Sequence, residues 1–281
     1  MIRLARPLLA IIIFLAYKPA LSQSAYSTRL NTGWEFVRTD LGGIWEAVRE
    51  AKEGSPEIVP SWEKVSLPHS FNAFDAVDPD VNYYQGPGWY RSQLEVDNPY
   101  EQGRTMLHFE GAGQKTEVYV YMTKVGSHKG GYDEWSVDIT DAVEAFKKTE
   151  AFEAQFKGKI PVAIRCDNSR DLEMIPSDLS DFNLYGGIYR YLNLVYVPPL
   201  SIDKIFAAAQ VDKGGNKGSL DVKIRFYNPC KSKTAEVGIR LLDPAGKTVD
   251  QFNTRLNVFS EEEDMWKVEI RNPQVWQPAA P

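Results

Sequence analysis

The sequence predicts an all-β chain made of two consecutive antiparallel sandwiches. Three observations point there. Short segments that alternate apolar with polar residues recur from Trp34 onward. Turns rich in Gly, Pro, Asn and Asp separate them about every 8 to 15 residues, and only two stretches carry helical spacing.

Taken in order, Ile44, Ala47, Val48 and Ala51 fall at i, i+3, i+4 and i+7, which predicts a short amphipathic helix inside an early insertion. Trp89 to Val96 has the period of a half-buried strand, with Gly88 as the bend that delivers it. The segments 105–110, 116–121 and 160–166 behave likewise. Residues 142–156 predict a second helix, capped by Thr140 or Asp141. The segment 192–197 closes the first sandwich at Pro198-Pro199. A fresh strand set then begins at Ser201, with 220–226, 236–242, 252–258 and 265–270 continuing it. These five strands fall short of the roughly seven strands of a full immunoglobulin-like sandwich, so the second sandwich reads as incomplete.

Composition excludes other classes. With 43% apolar and 25% charged residues the chain is neither disordered nor fibrous. A net charge of −6 leaves no basic surface for nucleic acid and disfavours anionic ligands generally. Two cysteines, Cys166 and Cys230, make no disulfide framework; lying in different predicted domains, they are expected to be unpaired. Three histidines, without any Cys/His cluster, argue against a zinc site.

The first 22 residues read as an export signal. Arg3 and Arg6 form a basic start, Leu8 to Ala16 is an unbroken apolar run, and Ala20-Leu21-Ser22 offers small residues for cleavage, with a cut after Ser24 as the alternative. The run is about half the roughly 20 residues a membrane span needs. A periplasmic or secreted protein with no membrane attachment after cleavage is expected.

Four segments in order carry a family resemblance: Trp62 to His69; Gly86-Pro87-Gly88-Trp89-Tyr90-Arg91; Gly126 to Tyr132 with Asp138-Ile139-Thr140; and Asp181 to Arg190. Together they resemble the front of glycoside hydrolase family 2, the β-galactosidase, β-glucuronidase and β-mannosidase family. The resemblance implies a jelly-roll β-sandwich that binds sugar (residues 26–199), then an immunoglobulin-like β-sandwich (200–281) that is apparently truncated. It also implies a catalytic barrel of the same polypeptide beyond this stretch, so the expected partners are a β-glycoside and that barrel. The expected function is the non-catalytic front of an exported retaining exo-β-glycosidase, β-galactosidase-like. The alternative is a stand-alone carbohydrate-binding module.

The resemblance also assigns residues. Asp181, six before Gly187, matches an aspartate that reaches the sugar's hydroxyls and, in some members, a monovalent cation. A carboxylate there can accept two charge-assisted O–H bonds; the plainer role is a loop cap on the Asn183 or Leu184 backbone. Gln85 stands where the family has an asparagine, with Asn82 nearby as a substitute. No cofactor is implied for this stretch, and sodium or magnesium only in a full-length parent. Trp89 could stack on a sugar but reads better as core. His69 and His128 read as loop histidines with partners rather than general bases, and Arg190 as a structural hydrogen bonder. No carboxylate pair suited to glycoside hydrolysis stands out among the 38 acids.

Overall fold

The computed structural model describes residues 26–49, 60–77, 82–176, 183–259 and 261–274. Within them the chain is all-β, with three short α-helices and one 3-10 turn at Asp75–Val77. The proposed signal segment and Asp181 lie outside the described residues.

The first sandwich packs two antiparallel sheets. One runs β1 (Tyr26–Arg29), β12 (Leu192–Val197), β6 (Arg104–Phe109), β9 (Trp135–Asp138). The other runs β3 (Glu63–Val65), β2 (Trp34–Val37), β5 (Pro87–Leu94), β10 (Ile160–Asp167), β7 (Lys115–Val120), β8 (Thr123–Lys129). A small ladder pairs β4 (His69–Ser70) with β11 (Gly187–Ile188). Strict alternation sends Thr105, Leu107 and Phe109 of β6, and Thr116, Val118 and Val120 of β7, into one shared core. Each fully buried aliphatic or aromatic side chain there contributes about 1.5–3 kcal/mol.

Strand β10 departs from the expected alternation: apart from Arg165 it is buried throughout. The reason is tertiary. Helix α1 (Ile44–Val48) lies on the outer face of the sheet, and Ala47, Trp89 and Ala163 form a second apolar layer with Ile44, Trp62 and Tyr119 beside it. Trp89 is therefore a core residue, 2% exposed and 5.7 Å from the Tyr119 ring, and cannot offer a face to sugar. Gly88 lies inside β5 rather than at a bend. A Cβ there would sit 2.7 Å from the Phe36 ring and 3.0 Å from Phe71.

The second predicted helix is two, α2 (Thr140–Phe146) and α3 (Glu150–Ala154). Neither Thr140 nor Asp141 is the N-cap; that position is Ile139, with no side-chain cap bond. The Thr140 hydroxyl is engaged instead with Asp138, at 2.6 Å. Thr149 breaks the helix: its hydroxyl donates to the Phe146 carbonyl (2.8 Å) while its own backbone is extended.

The second sandwich has five strands among the described residues. A three-stranded sheet, β13 (Ser201–Val211), β14 (Lys217–Tyr227), β17 (Glu263–Arg271), faces a hairpin of β15 (Thr234–Leu242) and β16 (Thr248–Asn257). Its core is small: Val222, Ile224, Phe226 and Val237, with Trp266 partly buried against them. Residues 198–200 join the two sandwiches.

Candidate functional site

Strand register gathers the connecting loops at one end of the six-stranded sheet. Val37 pairs with Trp89, Pro87 with Asp167, Asp167 with Lys115, and Lys115 with Lys129. The segments before Pro87 and after Val37, Asp167 and Lys129 therefore emerge side by side. The β4–β11 ladder brings residues 71–77 and 183–187 to the same end, where the Phe71 N–H donates to the Gly186 carbonyl at 3.1 Å.

Asn82 and Gln85 both lie exposed on the loop before β5. The Gln85 amide donates to the Tyr83 hydroxyl at 2.6 Å. Tyr84 points inward: its N–H donates to Asp75 (2.8 Å) and its hydroxyl to the Pro87 carbonyl (2.8 Å). Arg38 closes this corner, 3.2 Å from Asp75 and 5.2 Å over the Tyr84 ring. Burial raises the Tyr84 pKa, and the negative Asp167 adds to it. Beneath the loops lie Asn72 and Asn168, neither with exposed surface. Asn72 and Asn168 are the residues that sequence reading missed. An asparagine directly after the apolar strand ending at Asp167 signals a side chain that bonds backbone, but its partners are 16 to 84 residues away.

The histidines and Arg190 have partners, though the histidines sit in strands rather than loops. His69, in β4, has Nδ1 2.9 Å from the Tyr90 hydroxyl, and burial lowers its pKa. His128, in β8, stacks on Trp135 with Nε2 3.1 Å from Asp133. Arg190 donates to the Glu110 and Tyr132 carbonyls (3.3 and 3.1 Å).

Among the described residues, the acids Asp167 and Asp171 at this end are not tuned as a general acid. Burial alone would raise Asp167, but hydrogen bonds from Ser169 and the charges of Arg165 and Lys115 outweigh it and hold the carboxyl below its ordinary range. The Glu173 N–H and Lys115 do the same for Asp171. A general acid needs the opposite shift. No group of three or more His, Cys, Asp or Glu side chains suited to a metal occurs among the described residues. What the end offers is exposed amides and an apolar rim: Phe74, Val77, Leu172, Ile175 and Tyr185 are all exposed. Amides can bond sugar hydroxyls, and an apolar rim of this kind suits a covering surface.

A cavity of about 770 Å³ opens elsewhere, between the end of α1 and β2, β3, β5 and β10. Three of its four cations are already paired: Arg91 with Glu35 (2.7 Å), Arg49 with Glu46 (2.7 Å) and Lys159 with Glu95 (3.2 Å). The loop end is the better candidate.

Comparison with known proteins identifies the family. Residues 45–198 match the profile described as glycosyl hydrolases family 2, sugar binding domain, and residues 200–281 match that of glycosyl hydrolases family 2. A β-glucuronidase of Bacteroides fragilis is 26% identical over 79% of this chain and 31% of its own length. A β-galactosidase of Thermoanaerobacter pseudethanolicus is 26% identical over 89% of this chain and 31% of its own. Among solved structures, Parabacteroides merdae β-glucuronidase shares 55% identity with a TM-score of 0.86, covering 89% of this chain and 32% of that one. Bacteroides uniformis β-glucuronidase 3 shares 54% with a TM-score of 0.82, covering 91% and 32%. The chain thus spans about a third of the length of the relatives it matches. It belongs to glycosyl hydrolase family 2.

Proposed function

We propose that the chain is the N-terminal, non-catalytic portion of an exported retaining β-glycosidase, and that its loop end forms part of the rim of the substrate pocket. The observation that carries this reading is the convergence of exposed polar and apolar side chains at that one end. Asn82 and Gln85 stand beside Phe74, Val77, Leu172, Ile175 and Tyr185, a surface suited to being covered by the rest of a longer polypeptide. The barrel of the same polypeptide would supply the acid and nucleophile carboxyls, which must lie about 5–5.5 Å apart for retention. Any sodium or magnesium belongs to that longer protein.

The relatives at 54 and 55% identity favour a β-D-glucuronide over the β-galactoside that the resemblance alone suggested. A uronate is anionic, and the negative chain does not speak against it, since net charge averages over a surface while a pocket is set by its own residues. The reading is tested by assaying nitrophenyl β-D-glucuronide and β-D-galactoside with the continuous polypeptide and with the 281-residue chain. The first is expected to turn over glucuronide, the second neither. Robust turnover by the 281 residues alone would overturn it.

A further inference from the structure

Two buried asparagines make one interlocked set of hydrogen bonds to the two loops. The Asn168 amide donates to the Tyr84 carbonyl (2.9 Å) and to the Leu184 carbonyl (2.8 Å), while its oxygen accepts from the Gly86 N–H (2.9 Å). The Asn72 amide donates to the same two carbonyls (3.3 and 2.8 Å), and its oxygen accepts from the Gly186 N–H (3.0 Å). The amide orientations follow from the network, because an oxygen must face each N–H and a nitrogen each carbonyl.

The arrangement repeats itself on both loops. Asn168 holds the carbonyl before Gln85 and the N–H after it. Asn72 holds the carbonyl before Tyr185 and the N–H after it. Each asparagine also reaches across to the other loop's carbonyl. One residue on each loop is left projecting, and both of these, Gln85 and Tyr185, are exposed, although their flanking glycines are buried. Both asparagines are 0% exposed, so breaking the set leaves buried carbonyls without donors.

We propose that Asn72 and Asn168 are positioning residues that fix the separation of the two loops and thereby present Gln85 and Tyr185 as a pair to the glycoside. This rests on the glycosidase reading above. A buried side chain that only filled space would not need to bind both loops through the same two carbonyls.

Hydrogen exchange on the 281-residue chain tests the clamp itself. In the wild-type chain the Gly86 and Gly186 amides should be protected nearly as well as the core strand amide of Ile164. Asn168→Ala should speed exchange at Gly86 about tenfold and loosen Gly186 as well, leaving Ile164 unchanged. If this variant fails to fold, Asn72→Ser and the wild-type protection still decide. Wild-type Gly86 and Gly186 amides exchanging as fast as exposed loop amides would overturn the clamp.

Kinetics of the continuous polypeptide on nitrophenyl β-D-glucuronide test the role. Asn72→Ala should raise KM about tenfold with kcat within about threefold. Unchanged KM alongside loosened loops would make the asparagines structural only and overturn the positioning role. If the wild-type polypeptide hydrolyses neither glycoside, the glycosidase reading falls and takes the substrate half with it, while exchange alone still judges the clamp.

Discussion

The Tyr227 hydroxyl, at the end of β14 in the second sandwich, donates a hydrogen bond to the Asp138 carboxylate at the end of β9 in the first. Asp138 is also held by Arg104 (2.7 Å) and by the Thr140 N–H (2.9 Å). One carboxylate therefore ties the two sandwiches together near their covalent junction, and the Cys230 thiol 3.8 Å from the Gln102 carbonyl lies at the same seam.

Tyr227→Phe removes that bond while keeping the ring. A hydrogen bond to a charged group at a partly buried seam is worth about 1–2 kcal/mol, so denaturant unfolding at pH 7 should show a loss of that size. Burial alone would raise the Asp138 pKa, but hydrogen bonds from Thr140, Tyr227 and Arg104 hold it below its ordinary 3.8. A depressed carboxyl stabilises the fold above its unfolded pKa and loses that contribution as pH falls through the native one. The gap between wild type and variant should therefore shrink below about pH 3.8. Equal stability at pH 7 would show that the seam does not depend on this bond.

Gly88→Ala drives a methyl group against the Phe36 and Phe71 rings, which stack on each other with centroids 5.6 Å apart. Neither ring can swing away inside a packed core. The expected cost is about 1–3 kcal/mol, read as a lowered melting temperature. No change would mean that the core relaxes freely at this point.

The two thiols should differ sharply. Cys166 is fully buried, and burial pushes its pKa up to about 12, whereas Cys230 is exposed. Alkylation of the folded chain near pH 8 is expected to label Cys230 alone, with Cys166 reacting only after denaturation. Prompt labelling of both would contradict the packing around β10.

The proposed export predicts a processed N-terminus. Expression with intact secretion should yield a mature chain beginning at Gln23, or at Ala25 if cleavage follows Ser24, read by N-terminal sequencing. An intact Met1 on fractionated periplasmic protein would contradict the signal assignment.

Asp181→Asn in the continuous polypeptide keeps shape and loses charge. If Asp181 bonds substrate hydroxyls more strongly in the transition state, kcat/KM should fall about 10- to 150-fold, the equivalent of about 1.5–3 kcal/mol. The same change in the 281-residue chain should leave the melting temperature within about three degrees. Wild-type kinetics together with an unfolded short chain would identify a loop cap instead.

The strands were legible because their signal is local. A period of two in 105–110, 116–121 and 220–226 is visible in any short window, and those windows became β6, β7 and β14 within one to three residues. The helix expected at 142–156 was placed but not its break, because the Thr149 hydroxyl competes with the helix for the Phe146 carbonyl, and composition does not reveal which wins.

By itself the sequence determined the all-β class, the division at Pro198-Pro199 and the chain positions of most of the long strands. Only the tertiary structure decided what faces what. It laid α1 over Trp89, closed both faces of β10, and set Asn72 and Asn168 under loops whose bonded groups are 12 to 114 residues distant. The physical reason is range. Alternation and turn chemistry act over a few neighbouring residues, whereas a buried amide finds its carbonyls only after the sheets have packed and excluded water from both.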